Sequence, residues 1–441
     1  MTYNYQIKKV TLLAGIVLSC HIVFAQTCTG LPAPTFHWRC ATADSLLNRH
    51  PATTLPVSFD SIPYAGDYTL IAVYKPVVDT ESAVWRLVFE DSIIRGLTTE
   101  RITSGATSIR YADTTVCAAV IHTLRQTAPT VDDSAVSLIV GDGGIKVAEV
   151  LYYGWRLDNA ALRRVQSALA IRYGITLGPV DYIGGDGTHV WLHRRDSALF
   201  HHRITGIGND SSSCLLQLHS HSESEGSFVD LTADSLPQGA YLLFGDNDAP
   251  LSFLQESGDA EVLARQWQVQ STGMDNAGFS LSFDTRCLPG PIDSLVLVFD
   301  NGIVLPSAST ANTVCFNGLS LSSDSSIFTL ARGSMLWRLA QNGVKNARSG
   351  GATDGMAGPM LSDIPSFSVY PNPTPGHFFI EVSGARRVTV TVYSLQGKVM
   401  ATYNGSDRDS YLFEGSLPAG NSYYAAIVTE TGSQTLKLVV K

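Results

Sequence analysis

The sequence predicts an all-β protein: tandem β-sandwich domains followed by a small immunoglobulin-like domain at the C-terminus. Three observations carry that prediction. Short apolar runs of period two, separated by Gly, Asp and Ser, recur along the chain; in 68–75, Tyr68, Leu70, Ala72 and Tyr74 alternate with Thr69, Ile71, Val73 and Lys75. Charged residues make up only 16% of the chain and glycine contributes 38 of 441 residues, a balance that suits strands and tight turns of an exported β-protein. The period changes to the helical one at 158–173, where a single helix closes the first sandwich. The length allows about three domains with sizeable cores.

The N-terminus combines Lys8-Lys9, an apolar run over 10–24 and the small-residue site Val23-Phe24-Ala25. This reads as a secretory signal peptide over 1–25, cleaved after Ala25 and too short to span a membrane. Val17-Leu18-Ser19-Cys20 offers a competing lipoprotein signal with Cys20 acylated, although its leucine sits one place late. No later run reaches the roughly 18 apolar residues of a membrane helix. Removal of the signal leaves Cys28, Cys40, Cys117, Cys214, Cys287 and Cys315. An even count in an exported chain implies disulfides, and nearness in sequence favours Cys28 with Cys40 and Cys287 with Cys315, buried free thiols being the alternative. No CxxC spacing suggests structural zinc.

The first sandwich is expected over 26–177, with further strands at 84–90, 116–122, 135–141 and 147–153. Asp158 or Asn159 caps the closing helix, Leu162, Val165, Leu169 and Tyr173 form its apolar stripe, Arg163, Arg164 and Arg172 lie off that stripe, and Gly174 stops it. The passage from Ile145-Lys146-Val147-Ala148-Glu149 through Trp155-Arg156-Leu157 to Tyr173-Gly174-Ile175 resembles the closing strand and helix of concanavalin A/laminin G-like domains. That resemblance implies a sandwich of a kind that often binds glycans or protein partners, frequently with calcium, and that is sometimes purely structural.

A second β-rich domain is expected over 178–332, with strands at 279–283, 295–299 and 327–331. Thr188-His189-Val190-Trp191, Ile204 to Asp210, Gly239 to Asn247 and Arg265-Gln266-Trp267 punctuate it. These segments resemble an uncharacterised β-rich module that commonly follows the laminin-like domain in cargo of the type IX secretion route. Residues 333–366, including Ser349-Gly350-Gly351-Ala352, read as a flexible linker, apart from a more apolar stretch at 335–340.

The last domain, 367–441, opens on Tyr370-Pro371-Asn372-Pro373, whose prolines deny helix. Thr389 to Tyr393 alternates at period two, and Gly397-Lys398 and Leu417-Pro418-Ala419-Gly420 make turns. A Tyr-rich strand then leads to the terminal strand carrying Lys437. These motifs, in this order, resemble the type A sorting domain of the type IX secretion route. The resemblance implies recognition by the type IX machinery through Tyr370, Pro371, Asn372, Pro373, Gly397, Lys398, Pro418, Gly420 and Lys437. It further implies removal of both terminal signals, and release or attachment at the outer-membrane surface. Asn421-Ser422 lengthens the stretch after the last turn, which affects strand register.

With a net charge of −9 and no Lys/Arg block, the chain repels nucleic acid. His189, His193, His201, His202, His219 and His221 concentrate in one module, but an offset of four along a strand separates His189 from His193 by about 13 Å. Among the Asp-Gly turns, only the loop of Asp246 and Asp248 offers several oxygens for calcium, and turn chemistry alone also explains it. Asp132, Asp133 and Asp142 are the candidate ligand-loop carboxylates of the first sandwich. The E-x-D-x-x-E acidic triplet of concanavalin-like glycosidases and the G-x-S-x-G elbow are both missing. The expectation is therefore an exported, non-catalytic surface or extracellular protein that is adhesive or binds glycan or protein. A secreted carbohydrate-active enzyme and a structural spacer are the alternatives.

Overall fold

The computed structural model describes residues 28–441 except 65, 90–91, 117, 127–133, 194–198, 258–259, 275–276, 293, 300–301, 322–323, 335, 338–365, 371–373, 384–385, 395–397, 407, 409 and 430–432. The expected signal peptide and nearly all of the expected linker thus lie outside the described residues. The chain divides into two compact units, the first holding both larger sandwiches and the helix, the second the C-terminal sandwich.

In the first sandwich one sheet runs Phe36–Arg39, Ile145–Tyr153, Tyr68–Pro76, Val120–Gln126. The other runs Val57–Tyr64, Ser134–Val140, Ala83–Phe89, Ser92–Thr98, Arg101–Ser104, Thr107–Arg110. Between them Trp38, Leu70, Trp85, Leu138 and Tyr152 form the core. Alternation along Tyr68–Pro76 suggests one buried and one wet face, yet every residue from Tyr68 to Tyr74 is buried. The outer face is covered by the helix Asn159–Tyr173: Ile71, Val73 and Leu151 pack against Leu162, Val165, Leu169 and Tyr173. The strand expected at 116–122 begins later, at Val120.

The helix starts where the Asp158 carboxylate accepts the Ala161 N–H at 2.7 Å and ends at Gly174 with φ 60°. A side chain at Gly174 would also strike the His221 carbonyl, with Cβ 2.0 Å from its oxygen, so the second sandwich requires glycine there as much as the turn does. On its far side the helix offers Ala170 and Ile171 to Tyr182, Trp191, Ile204, Leu215 and Leu243 of that second sandwich. The helix is therefore buried between two modules.

The second sandwich pairs a sheet running Leu215–Gln217, His202–Asp210, Ala240–Asp246, Ala260–Thr272, Ser325–Arg332, Leu295–Phe299 with one running His219–His221, Val229–Thr232, Phe279–Asp284, Thr313–Leu319, Ala308–Ser309. Its core centres on Trp267, stacked on Phe328 at 5.4 Å and edge-on to Phe228 and Phe283. Such aromatic pairs add to the area they bury.

The cysteine pairing differs from the expectation. Cys28 is bonded to Cys214 across 186 residues of sequence, not to Cys40, whose buried thiol donates to the Thr42 carbonyl. Cys287 and Cys315 are both free thiols. Cys315 sits opposite Ser282 within a strand pair, while Cys287 lies in the 3-10 turn that follows that partner strand. Nearness in sequence fails because the bond ties the N-terminal arm of one module to the other module. A loop that long restrains the unfolded chain strongly. Cys117 lies outside the described residues.

The C-terminal sandwich has sheets Ser366–Tyr370, His377–Ser383, Ser410–Ser416 and Val399–Ser406, Arg387–Ser394, Asn421–Thr429, Ser433–Val440. Its core is its own, built from Phe378, Ile380, Val390, Val392, Ile427 and Leu438 among others. Among the described residues no helix is long and apolar enough to cross a membrane.

Candidate functional site

Strand Ile145–Tyr153 carries one carboxylate in a run that is apolar apart from it and Lys146, and a register shift between Val147 and Glu149 re-aims it. Glu149 faces the helix and is 1% exposed. On the neighbouring edge strand His37 and Arg39, two apart, share that face. His37 Nε2 lies 2.6 Å and Arg39 Nη2 3.0 Å from Glu149 Oε1. From the helix, Tyr173 donates its hydroxyl to Oε2 at 2.8 Å and Arg172 Nη1 lies 3.3 Å from the same oxygen. Arg172 Nη2 also donates to the Cys214 carbonyl at 3.0 Å, joining this cluster to the disulfide.

Burial alone would raise the Glu149 pKa. Arg172, the His37 hydrogen bond and Arg39 outweigh burial and hold it well below the ordinary carboxylate value. Burial and then Glu149 push the Tyr173 hydroxyl well up, so it stays a donor. Two guanidiniums thus meet one ionised carboxylate. They line a cleft of about 50 Å³ with apolar walls from Leu31, Leu151, Val165 and Leu169. Its roof is the arm Leu31–Pro34, fixed by the Cys28–Cys214 bond and by the Gly30 N–H donating to the Ser212 carbonyl at 2.8 Å.

A second polar knot closes the same junction. Asn48 is 1% exposed with φ 43°, and its side-chain amide donates to the Arg172 carbonyl at 2.9 Å and to Ser220 Oγ at 3.0 Å. Its Oδ1 accepts the His221 N–H at 2.9 Å, and its own N–H donates to Glu223 Oε1 at 2.6 Å. Lys75 Nζ lies 3.0 Å from Glu223 Oε2. Nearby, Asp210 accepts from Ser212, Ser213, Tyr241 and the Gly185 N–H.

Burial opposes ionisation of Glu223 and Asp210, but hydrogen bonds from His221, Asn48 and Lys75 to Glu223, and from Ser212, Tyr241, Ser213 and Gly185 to Asp210, win and lower each pKa to about 2. Their folded-state values lie below the unfolded ones, so their stabilisation is complete above about pH 4–5 and fades as pH falls toward 2. Melting temperature measured from pH 7 to 2.5 is expected to drop steeply below about pH 4.5, and Glu223→Gln to shallow that slope. A flat profile over this range would rule out a titrating junction.

The residues singled out from sequence are scattered. Asp246 and Asp248 do converge, but on Arg203: its Nε and Nη2 meet Asp246 at 2.7 and 2.6 Å, and Nη2 also bonds Asp248. A guanidinium therefore stands between the two carboxylates proposed for calcium. Asp142 holds its own loop, accepting the Ala83 N–H at 2.6 Å and the Gly144 N–H at 3.0 Å; Asp132 and Asp133 lie outside the described residues. His201 packs its ring on His202 at 4.2 Å and near His193 at 5.8 Å, while His219 and His221 approach Asp230. Among the described residues no group of three His, Cys, Asp or Glu is placed to hold a metal.

Of the sorting motif, Tyr370 ends the first C-terminal strand and is exposed, and the Lys398 carbonyl accepts the Ser394 N–H at 2.8 Å. The Pro418 carbonyl accepts the Tyr423 hydroxyl at 3.1 Å, Gly420 has φ 79°, and Lys437 pairs in register with Tyr424. Pro371, Asn372, Pro373 and Gly397 lie outside the described residues.

From the sequence alone Glu149 is assigned no role of its own. A signal was there: a charge inside Val147-Ala148-Glu149-Val150-Leu151 must find partners if that strand is buried. Which partners depends on the packing of the helix.

Residues 161–333 match a domain of unknown function (DUF8202), a segment that starts inside the helix and includes Arg172 and Tyr173 but not Glu149. No curated protein matches the chain. Among solved structures, a β-glucuronidase from Faecalibacterium prausnitzii is similar at 10% identity and TM-score 0.17, over 46% of this chain and 37% of that one. Dimeric latent PorU from Porphyromonas gingivalis is similar at 9% and 0.18, over 88% and 32%, and the BSP domain of a biofilm associated protein at 9% and 0.17, over 95% and 68%. The chain thus spans about a third of the first two, and TM-scores this low carry no argument. Residues 368–441 match the secretion system C-terminal sorting domain, and with that match the C-terminal sandwich marks the chain as cargo of the type IX secretion route, exported to the cell surface or secreted.

Proposed function

We propose that this cargo is a non-catalytic extracellular binding protein, adhesive toward glycan or protein, whose first sandwich is a concanavalin A/laminin G-like module. In this reading the signal peptide leaves after Ala25 and the type A sorting domain is removed on export, releasing the two-sandwich unit or leaving it at the outer-membrane surface. One observation carries the reading: two sandwiches are joined by a shared buried helix, a disulfide and buried ion pairs into one unit. Such fusion fixes the loops of both modules in one geometry, which favours multivalent contact with an extended surface. The cleft at Glu149 is small beside the roughly 300–1,000 Å³ of a typical substrate pocket. Its carboxylate is committed to four donors, and among the described residues that line the cleft no second acid stands with it as in a glycosidase pair.

The test is binding of the mature chain, residues 26–366, to glycan and extracellular-matrix arrays with and without calcium. Saturable binding is expected, weakened when Asp132, Asp133 and Asp142 are together replaced by Asn. Asn at 142 keeps one of the two acceptors its loop uses and loses the other, so a stability cost of about 1 kcal/mol is expected from that hydrogen bond. No binding to any array would leave the spacer reading; glycan turnover would establish the enzyme.

A further inference from the structure

We infer that the cleft beside Glu149 is a binding site for a small monocarboxylate anion. This inference goes beyond the loop-binding reading and does not depend on it. Charge is the first argument. Arg39 and Arg172 face a single ionised carboxylate, so the cleft carries one surplus positive charge even with His37 neutral. Asp210, which bonds the lining residue Ser213, has both oxygens already engaged by Ser212, Ser213, Tyr241 and the Gly185 N–H. In a partly buried site that surplus is felt far more than in water.

Geometry is the second argument. Arg39 uses one Nη on Glu149 and also approaches the Tyr173 hydroxyl, while its Nε is buried and finds no hydrogen-bond partner among the described residues. A buried N–H left unmatched is costly, and a planar guanidinium edge is suited to a planar carboxylate. About 50 Å³ of room holds roughly one or two waters, or the head group of a carboxylic acid. The apolar wall of Leu31, Leu151, Val165 and Leu169 suits a short hydrocarbon tail. Glu149 itself supplies selectivity, because its fixed negative charge tolerates one added negative charge and repels two. Sulfate and hydrogen phosphate are thereby disfavoured against butyrate.

The test uses the intact mature chain, titrated calorimetrically with butyrate, sulfate, phosphate and chloride at matched ionic strength. Saturable binding is expected for butyrate only. Arg39→Gln is expected to weaken it by about tenfold or more, and Arg39→Lys to fall between, since lysine keeps the charge and loses the fork. Arg39 lies at the partly exposed mouth, and circular dichroism checks that each variant is folded. As a second variant, Ala33→Trp on the exposed roof narrows the mouth without touching the ion pairs and should also abolish binding. Absence of butyrate binding in the wild type, an equal response to the inorganic anions, or unchanged affinity in folded Arg39→Gln and Ala33→Trp would each overturn the assignment.

Discussion

Glu149→Ala is expected to destabilise the two-sandwich unit by about 3–5 kcal/mol, the cost of breaking a buried ion pair while its partners stay behind. Most of that falls on Arg172, whose side chain is 7% exposed and keeps only the Cys214 carbonyl once the carboxylate is gone. Tyr173, fully buried, loses the acceptor of its hydroxyl. Arg39, 37% exposed, turns to water and contributes less. Because Glu149 belongs to the first sandwich and Arg172 and Tyr173 to the helix, the loss weakens the joint between modules more than either core. Urea denaturation followed through the buried tryptophans Trp85, Trp191 and Trp267 would measure it. Glu149→Gln, which keeps the volume and one acceptor, should cost less. The double variant Glu149→Ala/Arg172→Ala should cost less than the sum of the two single changes, since the second removes the charge the first strands. A shift below about 1 kcal/mol for Glu149→Ala would show the cluster to be solvated in practice.

Removing residues 366–441 is expected to abolish export while leaving the remaining unit folded, an all-or-none change in location. The C-terminal core draws on residues 369–440, and among the described residues none of the other hydrophobic cores includes a residue beyond Leu330. The larger sandwiches therefore have cores of their own and are expected to fold without the C-terminal domain. It does remove the whole segment that matches the secretion system C-terminal sorting domain. Fractionation of cells expressing the truncated chain should find it in the periplasm, with the melting temperature of the full chain's first unit. Truncated protein outside the cell would show that export does not require this domain.

How much of this was legible beforehand depends on whether the determining forces are local. Period-two runs separated by turn residues gave the strands Leu295–Phe299 at their observed limits and Ala83–Phe89 within one residue, because alternation is set by the pleat of a single strand. Asp158 and Gly174 were readable as the ends of the helix, since capping and left-handed backbone are properties of the residues concerned. The prolines and turns of the last domain announced its route for the same reason. What sequence could not supply was anything that depends on which faces meet. Tyr68–Pro76 looks half-wet but is buried on both sides once the helix covers it. Arg172, off the helix's apolar stripe, is buried because a second sandwich closes over that side. Cys28 passes over its sequence neighbour for a partner 186 residues away. Asp246 and Asp248 meet a guanidinium in place of an ion. The sequence by itself determined the strands, the caps and the export signal, all governed by contacts a few residues apart. Only the tertiary structure decided the Glu149 cluster, the disulfide and the cleft, because burial turns isolated charges and thiols into obligate partners and packing alone chooses which ones come within reach.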